Sequence, residues 1–174
     1  VRVYLPATTS VLRRLVETSE CGPAPLTAFA VTPGLREWYV DDDIESLEYA
    51  AMLEAARASL RLLAGDPAAA PRRVVIAAEL PDGVVAVRDD LDLGVVRVAE
   101  AVLLRQIVSV HVDDHDAEPA VRAATAVIDA ADLGDPDASD AVDDTEAFEL
   151  AWYASQEIAS VLGSLSGSGE PSTG

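Results

Sequence analysis

Hydrophobic residues recur along this chain with two periods, and the changes between them mark its elements. Val1, Val3 and Leu5 alternate with Arg2 and Tyr4, which predicts a strand over residues 1–5. Pro6 closes it, and Thr8, Thr9 and Ser10 can each cap a helix that carries Val11, Leu12, Leu15 and Val16 on one face. A Gly/Pro-rich turn at residues 21–25 precedes a second strand at Ala28-Phe29-Ala30-Val31. Thr32 and Pro33 then open a short helix to about Tyr39, because threonine accepts from the free amides and proline tolerates the first turn. After the acidic turn Asp41-Asp42-Asp43, the stripe Ile44, Leu47, Ala51, Leu53, Ala55, Ala58 and Leu62 predicts a long helix up to Gly65.

In the second half, residues 74–78 form a continuous apolar run, the pattern of a buried strand. Pro81-Asp82-Gly83 is a turn before a strand at 84–87, another strand follows at 95–98, and residues 101–106 read as a brief helical turn. Residues 107–112 are a well-marked strand, and Val121, Ala124, Val127 and Ile128 place a helix over 120–131. An acidic connection, 132–146, is expected to lead into a final helix over about 145–165. The Gly/Ser-rich tail, 166–174, reads as disordered.

These elements predict a single α/β domain over residues 1–165, with α+β as the alternative: a mixed sheet of about five to six strands with long helices packed on it. The two halves share an order of elements. Offset by 103 positions, Asp41 falls on Asp144, Tyr49 on Trp152, Ala51 on Ala154 and Glu54 on Glu157. This order suggests a duplicated β-α-β-α-α unit, with pseudo-repeats at 1–65 and 94–165.

Charge narrows the field of partners. All 12 basic residues are arginine, a composition typical of a GC-rich genome, and 31 acids bring the net charge to −19. Residues 113–174 hold 15 of the acids and a single base, Arg122, for a net of −14. Phosphate recognition needs clustered cations, so this distribution argues against nucleic acid and against an anionic membrane surface, and leaves a basic protein partner, a divalent cation or simple solubility, with a homo-oligomer expected only through exposed aromatics. No apolar run reaches the roughly 18–20 residues that cross a bilayer, and the lone Cys21 excludes an intrachain disulfide; a cytoplasmic location is expected.

Chemistry concentrates in His111-Val112-Asp113-Asp114-His115-Asp116, which contains both histidines. Imidazole and carboxylate are ordinary metal ligands, so His111, Asp113 and His115 are candidates, with His111 and Asp113 on one face of their strand and His115 in the loop beyond. The competing explanation is that the acids cap the following helix. Asp135, Asp137, Ser139 and Glu146 match a calcium-loop pattern in part, but Asp140 stands where the loop requires glycine. No phosphate-binding glycine loop, nucleophile elbow or required cofactor is evident. Two adjacent aromatic pairs, Trp38-Tyr39 and Trp152-Tyr153, cannot bury both members on one helix face, so one of each can reach a groove or an oligomer contact, with packing in the core and at its boundary as the competing explanation.

The segments Val1-Arg2-Val3-Tyr4-Leu5-Pro6-Ala7-Thr8, Thr27-Ala28-Phe29-Ala30-Val31-Thr32-Pro33, Leu47 to Ala56 and Glu149-Leu150-Ala151-Trp152-Tyr153-Ala154 together resemble an uncharacterised actinobacterial family known only as a domain of unknown function, over roughly residues 1–165. That resemblance implies no activity. The functional expectation is a non-catalytic interaction or regulatory module with an acidic C-terminal third. The alternative is a small metal- or ligand-binding enzyme with a pocket near His111 and Asp113.

Overall fold

A computed structural model describes residues 1–40 and 43–167 of the chain. Asp41 and Asp42 of the acidic turn, and residues 168–174 of the expected tail, lie outside them. Seven strands form one sheet in the order β5 (Val85–Val87), β6 (Val95–Val98), β3 (Leu26–Phe29), β1 (Arg2–Ala7), β4 (Val74–Glu79), β8 (Ile107–Val112) and β9 (Ala151–Ala154). β2 (Glu20–Cys21) and β7 (Val102–Leu103) make a separate two-stranded ladder. The α/β class stands, but the sheet is larger than expected and each of its pairings is antiparallel, not mixed.

Strand alternation divides the core between the two faces of the sheet. Val3, Leu5 and Ala7 of β1, with Val74, Ile76, Val110 and Val112, meet α1 (Thr9–Thr18) and α6 (Ile158–Gly167) through Leu12, Leu15, Ile158 and Val161. On the other face Tyr4, Phe29, Val75, Ala77 and Val95 meet α2 (Pro33–Trp38) and α3 (Ile44–Ala64) through Leu35, Ala51 and Ala55. The C-terminal half of α3 packs through Leu60 and Leu63 on α4 (Glu118–Asp132) and α5 (Pro136–Asp143).

Local signals and long-range bonds coincide at several helix ends. Thr8 caps α1 and Thr32 caps α2, each accepting from the amide three residues on. The Thr32 hydroxyl also donates to Asp89 at 2.6 Å, and the amides of Gly34 and Gly94 reach the same carboxylate at 3.0 Å, which ties α2 to the turn between β5 and β6. Both glycines are needed there: a Cβ at 34 would lie 2.7 Å from the Asp89 carboxyl carbon, and Gly94 has a φ of 81°. Buried Ser59 of α3 donates to the Ala7 carbonyl at 2.7 Å and accepts from the Val74 amide at 3.1 Å, so it joins the helix to the ends of β1 and β4.

The C-terminal region departs from the sequence-based expectation. Residues 136–143 of the acidic connection are helical, started by Pro136 and by Asp135, whose side chain accepts from the Asp137 amide. The partial calcium-loop pattern is therefore spread over a helix and cannot form a loop. The expected long final helix is instead a 3-10 turn at Asp144–Ala147, strand β9, a second 3-10 turn at Ser155–Glu157 and α6. The 103-residue offset thus sets Tyr49, in a helix, against Trp152, in a strand, and the elements do not repeat.

Candidate functional site

Register across four strands assembles a groove on the α3 side of the sheet. Tyr4 pairs with Ala77, Ala77 with Ser109, and His111 with Trp152, so these residues and Arg2 project to the same face. Glu45, Glu48, Tyr49 and Met52 stand at helical spacing along one flank of α3 and supply the facing wall. The space between holds about 290 Å³. Trp152 and Tyr49 are its exposed aromatics, at 61% and 48%, while Tyr4 is buried.

Its polar groups are of unequal availability. Arg2 is engaged across the strands by Glu79, Nε to Oε1 at 2.7 Å, and although burial opposes its charge this partner raises its pKa. His111 is half-buried; burial, then the positive charge of Arg2, lowers its pKa, so the imidazole is neutral at neutral pH. Its Nε2 lies 3.2 Å from the Ser109 hydroxyl. The Tyr4 hydroxyl donates to Glu48 at 3.5 Å, and burial, then the Glu48 charge, raises the pKa of this phenol. Neither Glu45 nor Glu48 forms an ion pair among the described residues.

The structure does not bring His111, Asp113 and His115 together. Asp113 follows the strand on the His111 side, as alternation requires, but its carboxylate is fully engaged with Arg73. Oδ2 accepts from the Arg73 amide at 2.8 Å and from Nε at 2.7 Å, and Oδ1 accepts from Nη2 at 2.8 Å. Asp113 is 1% exposed and Arg73 is 2% exposed. Arg73 also donates to the Phe148 carbonyl, and the adjacent Arg72 donates to the Asp113 carbonyl and pairs with Glu118 at 3.2 Å. His115 stands exposed in the 3-10 turn His115–Ala117, between Asp114 at 3.2 Å and Asp116 at 3.0 Å. Among the described residues no cluster of three or more histidine, cysteine, aspartate or glutamate side chains is arranged to hold a metal.

Of the two aromatic pairs only Trp152-Tyr153 divides between a groove and the core, by strand alternation and not by helix geometry. Trp152 faces the groove, and Tyr153 packs on the opposite core. Trp38 and Tyr39 are exposed at the end of α2 and do not line the groove. Cys21 is buried, and burial, then the charge of Glu20, pushes its thiol up to about 11, so it is not an activated nucleophile. The residues missed by sequence reasoning are Arg2, Tyr4, Ser109 and the α3 flank. Only the helical spacing of Glu45, Glu48, Tyr49 and Met52 was visible as a signal, because their neighbours arrive from four distant strands.

The chain belongs to the family of unknown function DUF6912, whose pattern spans residues 1–162. Neither a curated protein nor a solved structure matches it. No described helix is long and apolar enough to cross a membrane.

Proposed function

We propose that this protein is a non-catalytic binding module that holds a basic side chain of a partner protein in the groove between α3 and the β8–β9 edge. The observation that carries the reading is the lining: among the described residues the carboxylates of Glu45 and Glu48 enter no ion pair, Glu48 accepting only from the Tyr4 hydroxyl, three aromatics stand beside them, Arg2 is committed to Glu79, and His111 is neutral. Carboxylates and aromatic faces together attract an arginine or lysine head group. The net charge of −19 speeds the approach of a basic partner and opposes self-association through this acidic groove, nucleic acid and anionic lipid. A cytoplasmic location in an actinobacterium is supported by the arginine-only basic composition and the single cysteine.

Fluorescence of Trp152 in a Trp38→Phe background provides the test, with a short arginine-containing peptide as titrant. Saturable binding is expected to weaken with salt and to fall about tenfold in Glu45→Gln or Glu48→Gln. The control Asp137→Asn, which removes an acid from α5, should leave affinity unchanged. Equal losses in all three variants would reduce the effect to general charge attraction and remove the groove from the account.

The contact between Ser109 and the neutral His111 favours a second reading, a small enzyme in which His111 takes the Ser109 proton. Labelling of Ser109 by a serine-directed fluorophosphonate, lost in His111→Gln, is its expected signature. An unlabelled native protein would dismiss it.

A further inference from the structure

On the other flank of α3, further along the helix, a second cleft of about 410 Å³ opens over β3 and β6. Phe29, Leu91 and Val95 give it an apolar wall, and Glu54, Asp92, Arg61 and Arg97 bring charge to it. The state of each charge differs. The Arg61 guanidinium is occupied by Asp132, Nε to Oδ2 at 2.7 Å and Nη2 to Oδ1 at 2.9 Å. Arg97 has no such partner: its cross-strand neighbours are Thr27 and Ala86, its Nε is buried without an acceptor, and no acid lies within ion-pair distance among the described residues.

A buried guanidinium nitrogen without an acceptor is costly, because burial strips water from the Arg97 Nε and no described residue replaces it. In a chain with 31 acids its isolation is a matter of placement and not of supply. Glu54 and Asp92 line the same cleft and also form no ion pair among the described residues. Burial, then the charge of Asp92, raises the pKa of Glu54 against the opposing pull of Arg57 and Arg61. Beside an apolar wall, the cleft therefore presents Arg97 and two acids, Glu54 and Asp92, none of which is in a direct ion pair among the described residues, although Arg61 acts on both acids from a distance.

We infer that this cleft binds a small zwitterion, a free α-amino acid with an apolar side chain. Its carboxylate is taken by Arg97, its ammonium group lies toward Glu54 and Asp92, and its side chain rests against Phe29, Leu91 and Val95. A simple anion would meet the two acids and a simple cation would meet Arg97, so only a ligand with both charges satisfies the whole lining. This site stands on different residues from the groove at His111 and does not depend on the function proposed there.

Calorimetric titration of the full chain with apolar L-amino acids, from valine to phenylalanine, tests the assignment. Saturable binding is expected, at least about tenfold tighter than that of the matching carboxylic acid without its amine or of the amine without its carboxylate. Arg97→Met should reduce affinity by at least about tenfold, and Glu54→Gln should weaken it as well. Thr27→Asp places a carboxylate opposite Arg97 and is expected to abolish binding while preserving the fold, which keeps the test decisive if Arg97→Met does not fold. No binding by any of these amino acids at millimolar concentration, unchanged affinity in Thr27→Asp, or equal binding of the carboxylic acid alone would overturn the proposal.

Discussion

Removing the carboxylate of Asp113 isolates the consequence of burying an ion pair at the ends of two neighbouring strands. In Asp113→Ala, Arg73 loses three contacts of 2.7–2.8 Å, one to its amide and two to its guanidinium. Among the described residues the guanidinium of Arg73, 2% exposed, then retains the Phe148 carbonyl at 2.9 Å as its one partner. Breaking such a pair from one side leaves an uncompensated charge and costs about 3–5 kcal/mol. For a domain of this size each kcal/mol lowers Tm by roughly 2–4 °C, so a fall of roughly 6–20 °C is expected. Urea denaturation followed by circular dichroism gives the same quantity from the midpoint, provided the slope is unchanged. The double variant Arg73→Met with Asp113→Leu removes both charges and should be more stable than Asp113→Ala alone, because the desolvation cost disappears with the pair. A loss below about 1 kcal/mol in Asp113→Ala, or a double variant no more stable than the single one, would refute the reasoning. A metal ligand would behave differently: its removal would change metal content, which is expected to stay the same here.

Three other outcomes follow from the same structure. His111 has a folded-state pKa below its ordinary 6.5, so the unfolded chain takes up this proton first as pH falls. Its contribution to stability is complete above about pH 6.5 and is lost as pH falls through the folded value; comparing unfolding free energies of the parent and His111→Gln between neutral and mildly acidic pH should show a shallower slope in the variant, and parallel curves would contradict it. Cys21, with a pKa of about 11 and a buried side chain, should react with a thiol reagent only on unfolding, and rapid stoichiometric reaction of the native protein would place it elsewhere. Trp152→Ala should change stability by no more than about 0.5 kcal/mol, whereas Tyr153→Ala should cost about 2 kcal/mol through lost core packing, measured by the same denaturation.

Legibility in the sequence followed the length and regularity of each pattern. The 21 residues of α3 carry their own stripe and β4 opens on the unbroken apolar run 74–78, so both are recognisable without their neighbours. α5 had its start signal in Asp135 and Pro136, but its eight residues were hidden among acids that also suit a linker. β9 is harder still: Ala151-Trp152-Tyr153-Ala154 is followed by Ser, Gln and Glu, a composition that suits a helix, and only pairing with β8 makes it a strand.

By itself, the sequence determined the α/β class, the principal helices and strands, their caps and the acidic bias of the chain, because these depend on neighbouring residues and on composition. The tertiary structure alone decided what the polar residues do. Asp113 became half of a buried ion pair because β4 brings Arg73 beside it, and His111 was left facing Tyr4 and Trp152 because β1 and β9 share its face of the sheet. Among the described residues Arg97 meets no acid, because its strand partners offer it Thr27 and Ala86. A side chain's charge state and availability depend on burial and on partners within a few ångströms, and those partners come from parts of the chain that sequence periodicity cannot align.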